Sequence, residues 1–156
     1  MLSDKLKDSL NKREFISVGT CDFHGKPNAA PKFFLKMEGN FLYLIDYVMS
    51  RTLANLKINP RVSLSFIDLD TLVGYQINGK VKIIEQGKEF EKIAQELVDK
   101  QIVFSTKRII EGITTGKKHK VFEVGIEKDF VVFKLEIEEV IEIGPSGGLT
   151  RQIIKK

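Results

Sequence analysis

A run of three polar residues, Ser50, Arg51 and Thr52, has the composition of a phosphate-binding site. An apolar segment ends near Asp46, and the pattern from Ser50 to Asn59 predicts a helix, which stops before a proline. A helix start offers unpaired amide groups and partial positive charge, and Arg51 would add a bidentate phosphate donor. Taken alone, the local pattern favours the ordinary alternative, a helix capped by Ser50 with a solvent-facing arginine.

Motifs of side-chain catalysis are absent from the sequence, which has no GxGxxG, GxxxxGK[ST], HExxH or CxxC. The two histidines, His24 and His119, lie in no pattern that links them to a nucleophile, and we expect turn or surface positions for both. We expect a structural role for the single cysteine, Cys21. If the protein carries out chemistry, a cofactor is therefore expected to supply it.

Composition restricts the class of protein. A chain of 156 residues is expected to form one domain, residues 1–156, and its net charge of +4 mildly favours anionic ligands. No apolar run is long enough to cross a bilayer, and the first fifteen residues lack the apolar core of a signal peptide. One cysteine fits a reducing compartment. We therefore expect a cytoplasmic protein without membrane contact.

The hydrophobic pattern predicts a mainly β fold, a small antiparallel barrel with peripheral α-helices. The first three predicted strands form a meander, Gly79 marks a bulge, and we expect the region from Thr106 to Lys120 to be an insertion on the barrel. The predicted strands are 15–21, 28–36, 41–46, 62–67, 74–84 and 130–143. Two predicted helices begin near residues 3 and 50, and the third runs from Gly87 to Lys100.

The order of three segments resembles the pyridoxamine 5'-phosphate oxidase-like family of FMN-binding split barrels. The segments read TCDFHGKPNAAPKFFL, FLYLIDYVMSRTLANLKINPRVSLSFID and GYQINGKVKII. They carry the family's T-x-D-x-x-G-x-P hairpin, its phosphate-binding helix start and its N-x-x-x-N-P-R-V-S-L run. The resemblance covers about Phe15 to Ile84 and implies a split barrel that binds FMN at the interface of a homodimer.

The resemblance also implies roles for individual positions. Arg51 and Thr52, with Ser50 beside them, fall where the family holds the FMN phosphate. A polar flavin contact of the family aligns with Gly74, and Gln76 lies two residues on, on the same strand face. The positions that fall along the flavin ring or at its edge are Ala30, Pro31, Lys32, Phe33, Ile45 and Asp46.

Lys32 has a physical case of its own. A cation near the N1–O2 side of a flavin would stabilise the reduced, anionic ring, and this predicts that Lys32 tunes the cofactor. Its alternative is a lysine that faces solvent from a strand. Alternation places Lys32 on one strand face with Ala30 and Phe34.

The chain also departs from the true oxidase. It has no tryptophan, and it ends in GLTRQIIKK where the oxidase has an Arg-x-His element for the vitamin's phosphate. We therefore do not expect oxidation of vitamin B6. The leading hypothesis is an FMN-dependent oxidoreductase of unknown substrate; the alternatives are a flavin-binding module without turnover and, less favoured, a basic barrel that binds single-stranded nucleic acid.

Overall fold

The computed structural model describes residues 2–116 and 129–154. Along the chain the elements are α1 (Asp4–Asn11), β1 (Phe15–Cys21), β2 (Pro27–Glu38), β3 (Phe41–Asp46), α2 (Arg51–Ile58), β4 (Arg61–Asp68), β5 (Val73–Ile84), α3 (Lys88–Thr115), β6 (Val131–Ile143) and β7 (Leu149–Ile153).

The strands form one antiparallel sheet in the order β3-β2-β1-β4-β5-β6-β7. An additional pairing of β3 with β6 closes the first six strands into a barrel, and β7 extends the sheet beyond it. Closure removes most of the exposed sheet edge, which would otherwise be open to other strands. The predicted fold class and the β1–β2–β3 meander are confirmed.

Helices α1 and α2 pack on the core inside the barrel, and α3 packs on the outside of its wall. Leu6 and Leu10 of α1 and Leu53 and Leu56 of α2 join the cluster inside the barrel. Alternation along β2 sends neighbouring side chains to opposite sides of the barrel wall, and a bulge interrupts the pairing between Phe34 and Lys36. Phe34 points inward, whereas Phe33, Leu35 and Ile45 belong to the cluster that contains Ile93 and Leu97 of α3.

In two regions the local structure differs from the expectation. The expected helix end near Lys100 is wrong, because α3 continues to Thr115, and the expected insertion is therefore helical over residues 106–115. Gly116 ends the helix in the left-handed conformation with a φ of 68°. Strand β7 follows the Gly-rich residues 144–148 and is absent from the predicted strands. The bulge at Gly79 is confirmed by a register shift between Asn78 and Gly79. His119 and the lysines around it, Lys117, Lys118 and Lys120, lie outside the described residues.

Candidate functional site

The first half of β2 has one open edge. β1 pairs with β2 from Pro27 to Phe33, whereas β3 pairs with β2 only from Phe33 onward. Within the described ranges no strand therefore lies beside the second edge of residues 28–32. Pro31 suits this position because it has no N–H to leave unpaired. The remaining backbone groups along the edge are available to a ligand.

Helix α2 begins without a side-chain cap. Ser50 stands at the N-cap position, but its side chain makes no capping hydrogen bond, so the expected cap is wrong. The backbone N–H of Ala54 donates to the Ser50 carbonyl at 3.0 Å, and the amides before it precede the first helical bond. The Arg51 side chain at this end is exposed. The helix start therefore offers an anion the donors of its first amide groups, together with the local positive potential of a helix N-terminus.

Asn28 joins the open edge to the helix start. Its Nδ2 donates to Oγ1 of Thr52 at 3.2 Å, and Thr52 is only 2% exposed. A second amide, Nδ2 of Asn55, donates to Oγ1 of Thr20 at 3.0 Å and fixes the helix on β1. Sequence reasoning missed both asparagines, because each bond joins residues more than twenty positions apart.

Lys32 and Asp46 form a buried ion pair on the inner face of the barrel wall. Their Nζ and Oδ1 atoms are 2.7 Å apart, and the side chains are 5% and 0% exposed. The alternative of a solvent-facing Lys32 is therefore wrong. Oδ1 also accepts hydrogen bonds from the backbone N–H groups of Val48, at 3.1 Å, and Met49, at 3.3 Å. The pair thus lies at the base of the loop that leads into α2.

The other predicted positions occupy different surroundings. Phe33 lies under α3 against Phe104, with ring centroids 6.1 Å apart, and Ile45 is buried in the same cluster. Gln76 lies on the outer face of the sheet, where its Nε2 donates to Oγ of Ser63 at 3.2 Å. The side chains of these three predicted positions therefore do not converge on the start of α2.

The outer face of the sheet carries small side chains and a row of exposed apolar ones. Cross-strand pairing places Ser17 beside Ser65 and Gly19 beside Ser63, with Pro31 and Ala29 continuing both rows on β2. A cavity of about 780 Å³ lies on this face, next to Asn28 and Ala29 of β2. The neighbouring apolar row consists of Phe15, Ile67, Ile143 and Leu149, which are 53%, 46%, 42% and 61% exposed.

The arrangement offers binding groups in place of a catalytic side-chain cluster. Across residues 2–116 and 129–154, no group of three or more His, Cys, Asp or Glu side chains could hold a metal ion. His24 lies at the exposed tip of the β1–β2 hairpin, edge-on to Phe23. Cys21 accepts from Nδ2 of Asn59 at 3.2 Å. Of the helices in these two ranges, none is long and apolar enough to cross a membrane.

The chain is similar to known proteins in sequence and to solved structures in fold. The uncharacterized protein MJ0282 of Methanocaldococcus jannaschii is 31% identical over 104 residues, which are 65% of this chain and 67% of that protein. The heme oxygenase HutZ of Vibrio cholerae is 29% identical over 70 residues, which are 45% of this chain and 39% of HutZ. Among solved structures, a pyridoxamine 5'-phosphate oxidase-related, FMN binding protein of Nostoc punctiforme aligns with this chain over the full length of both, with a TM-score of 0.61 and 12% identity.

The family comparison covers most of the chain. The family model for pyridoxamine 5'-phosphate oxidase matches residues 2–144, a range that runs from the first helix to the end of β6. The ordered motifs between Phe15 and Ile84 predict the same relationship. The chain therefore belongs to the pyridoxamine 5'-phosphate oxidase family.

Proposed function

We propose that this chain is an FMN-binding oxidoreductase that holds the cofactor phosphate at the start of α2 and the flavin ring along the open edge of β2. The observation that carries the proposal is the bond between Asn28 and Thr52, which brings the open edge of β2 next to the start of α2. Family membership and the FMN binding relative of Nostoc punctiforme support the choice of cofactor.

The residues present fit FMN. A phosphate dianion matches an uncapped helix start with an exposed arginine, and Ser50 and Arg51 would hold it together with the first amides of α2. Thr52 would support the site from below through its bond to Asn28. The backbone of Ala30 to Lys32 would pair with polar atoms at the ring's edge. FMN, when bound, supplies hydride or electron transfer, and the protein's own residues bind and orient it.

We further propose that the protein is a homodimer and that the second subunit completes the flavin site. The outer sheet face supports this, because its small side chains allow a close approach and its row of four exposed apolar residues would be covered. The cavity on that face begins at Asn28 and Ala29, so a second copy seated there would border the open edge of β2. A two-fold interface uses the same face of both copies.

A second candidate ligand is heme, and the similarity to HutZ over 70 residues is the observation that favours it. Both ligands are planar, but only FMN carries a phosphate. The absorbance spectrum of the purified protein, followed by titration with FMN, riboflavin and hemin, separates them. We expect flavin bands, and tighter binding of FMN than of riboflavin. A Soret band with no affinity for FMN would replace the proposal with heme binding.

Turnover and assembly need separate measurements. Steady-state reduction of bound FMN by NADH or NADPH would distinguish an oxidoreductase from a flavin-binding module without turnover. Sedimentation velocity should give a dimer of the 17.7 kDa chain. A stable monomer that binds FMN would contradict the shared site while leaving the cofactor assignment intact.

A further inference from the structure

We infer that Lys32 and Asp46 are a positioning pair that fixes the direction of the first turn of α2, and thereby the preference for a phosphate; this inference rests on the proposed function. Asp46 Oδ1 accepts three hydrogen bonds, from Nζ of Lys32 and from the backbone N–H groups of Val48 and Met49. One oxygen therefore ties a strand of the barrel to the loop before the helix.

The loop needs such a restraint. Met49 has a φ of 47°, which is unfavourable for a residue with a Cβ atom, and it directly precedes the N-cap residue Ser50. An aspartate that accepts from the amides two and three residues ahead closes a local turn. Because Ser50 does not cap the helix with its side chain, the Asp46 turn is the restraint next to the first amides of α2.

Lys32 has the second role in the pair. Asp46 is fully buried, and an uncompensated carboxylate there would be costly and would repel an anion at the nearby helix start. The Lys32 ammonium at 2.7 Å cancels that charge. The loop can therefore use a strong acceptor without adding negative charge to the phosphate site.

Two double variants isolate the loop restraint. Lys32→Met/Asp46→Asn removes both charges and keeps a side-chain oxygen for the loop amides, whereas Lys32→Met/Asp46→Leu removes the oxygen as well. The two proteins have no buried charge at these positions and side chains of similar size. We expect the ratio of FMN to riboflavin affinity to stay near wild type in the first and to fall about tenfold in the second.

A measurement without ligand separates this inference from the proposed function. Residue-resolved hydrogen exchange of the free protein should show the amides of Val48 and Met49 exchanging about tenfold faster in the leucine variant than in the asparagine variant. That difference would support the positioning pair even if no FMN were bound. Equal exchange in the two variants would overturn it, and so would equal affinity ratios in two variants that both bind FMN.

Lys36 provides the matched control. It lies on the same strand and forms an ion pair with Glu96 at 2.7 Å on the α3 side of the wall. Lys36→Met should leave both the affinity ratio and the loop exchange unchanged. A comparable loss in Lys36→Met would mean that the effects come from general loosening of β2, which would refute a specific role for Lys32 and Asp46.

Discussion

Replacing Arg51 with alanine tests the phosphate site directly. Arg51 is the first residue of α2, its side chain is exposed, and the adjoining N-cap leaves the first amides uncapped. A hydrogen bond to a charged group contributes about 1.5–3 kcal/mol, so Arg51→Ala should weaken FMN binding about 10- to 150-fold. The exposed position of the side chain favours the lower end of this range, because water screens the attraction.

Riboflavin makes the measurement specific. It shares the flavin ring and lacks the phosphate, so Arg51→Ala should leave its dissociation constant nearly unchanged. Fluorescence quenching titrations of both ligands with both proteins form a double-mutant cycle for the phosphate contact. Lys57 is the matched control, since it lies in the last turn of the same helix and pairs with Glu85 at 3.5 Å. Lys57→Ala should change neither constant.

Two results would refute this placement of the phosphate. If Arg51→Ala binds FMN as tightly as wild type, the anion lies elsewhere. If FMN and riboflavin weaken by the same factor, Arg51 supports the fold or the ring and does not contact the phosphate.

Three further predictions concern the barrel, its long helix and the flavin. A Cβ atom on Gly79 would overlap a carbonyl oxygen of β6, so Gly79→Ala should destabilise the fold by about 3 kcal/mol or more in urea unfolding. In the control Gly148→Ala the new Cβ atom meets no other atom, and the stability should be nearly unchanged. Equal effects of the two substitutions would contradict the bulge. Burial lowers the pKa of Lys100 to about 8, so the folded chain loses this proton at a lower pH than the unfolded chain does, and the free energy of unfolding should rise from pH 8 to about 10.5. Lys100→Met should flatten that rise, and parallel pH profiles of the two proteins would refute the assignment. Lys32→Met should lower the midpoint potential of bound FMN, because the Asp46 carboxylate is left uncompensated; an unchanged value in spectroelectrochemical titration would place the pair away from the ring.

The elements that the sequence predicts well have a local signal. Strands β1 to β6 combine apolar, β-branched segments with turn residues at their ends, and Gly79 marks the bulge where a side chain cannot fit. Strand β7 has no such signal, because every one of its five residues is exposed and it exists through pairing with the edge of β6. The second half of α3 was missed for a related reason: its apolar residues, such as Ile110 and Ile113, are exposed and show no buried face.

In the candidate site, too, contiguous residues can be predicted from the sequence, whereas contacts between distant residues cannot. Ser50, Arg51 and Thr52 are contiguous, so the resemblance to the family can assign them to a phosphate site from the sequence, and the uncapped helix start is compatible with that prediction. The Asn28–Thr52 bond joins residues 24 positions apart and depends on how α2 lies over β2. No pattern within either segment announces such a contact.

Lys32 shows where alternation stops being informative. Period-two alternation correctly places Lys32 on the face of Phe34, but a lysine on an apolar face is ordinarily assigned to solvent. The decisive fact is the register of β2 against β3, in which Phe33 pairs with Ile45. One step beyond this last pair of the ladder, the side chains of Lys32 and Asp46 meet, and their opposite charges can be buried together. Sequence analysis can therefore use such a pair as a signal, provided that it first derives the register of the two strands of the meander. Only then can it decide whether a lysine and an aspartate face inward together and are buried.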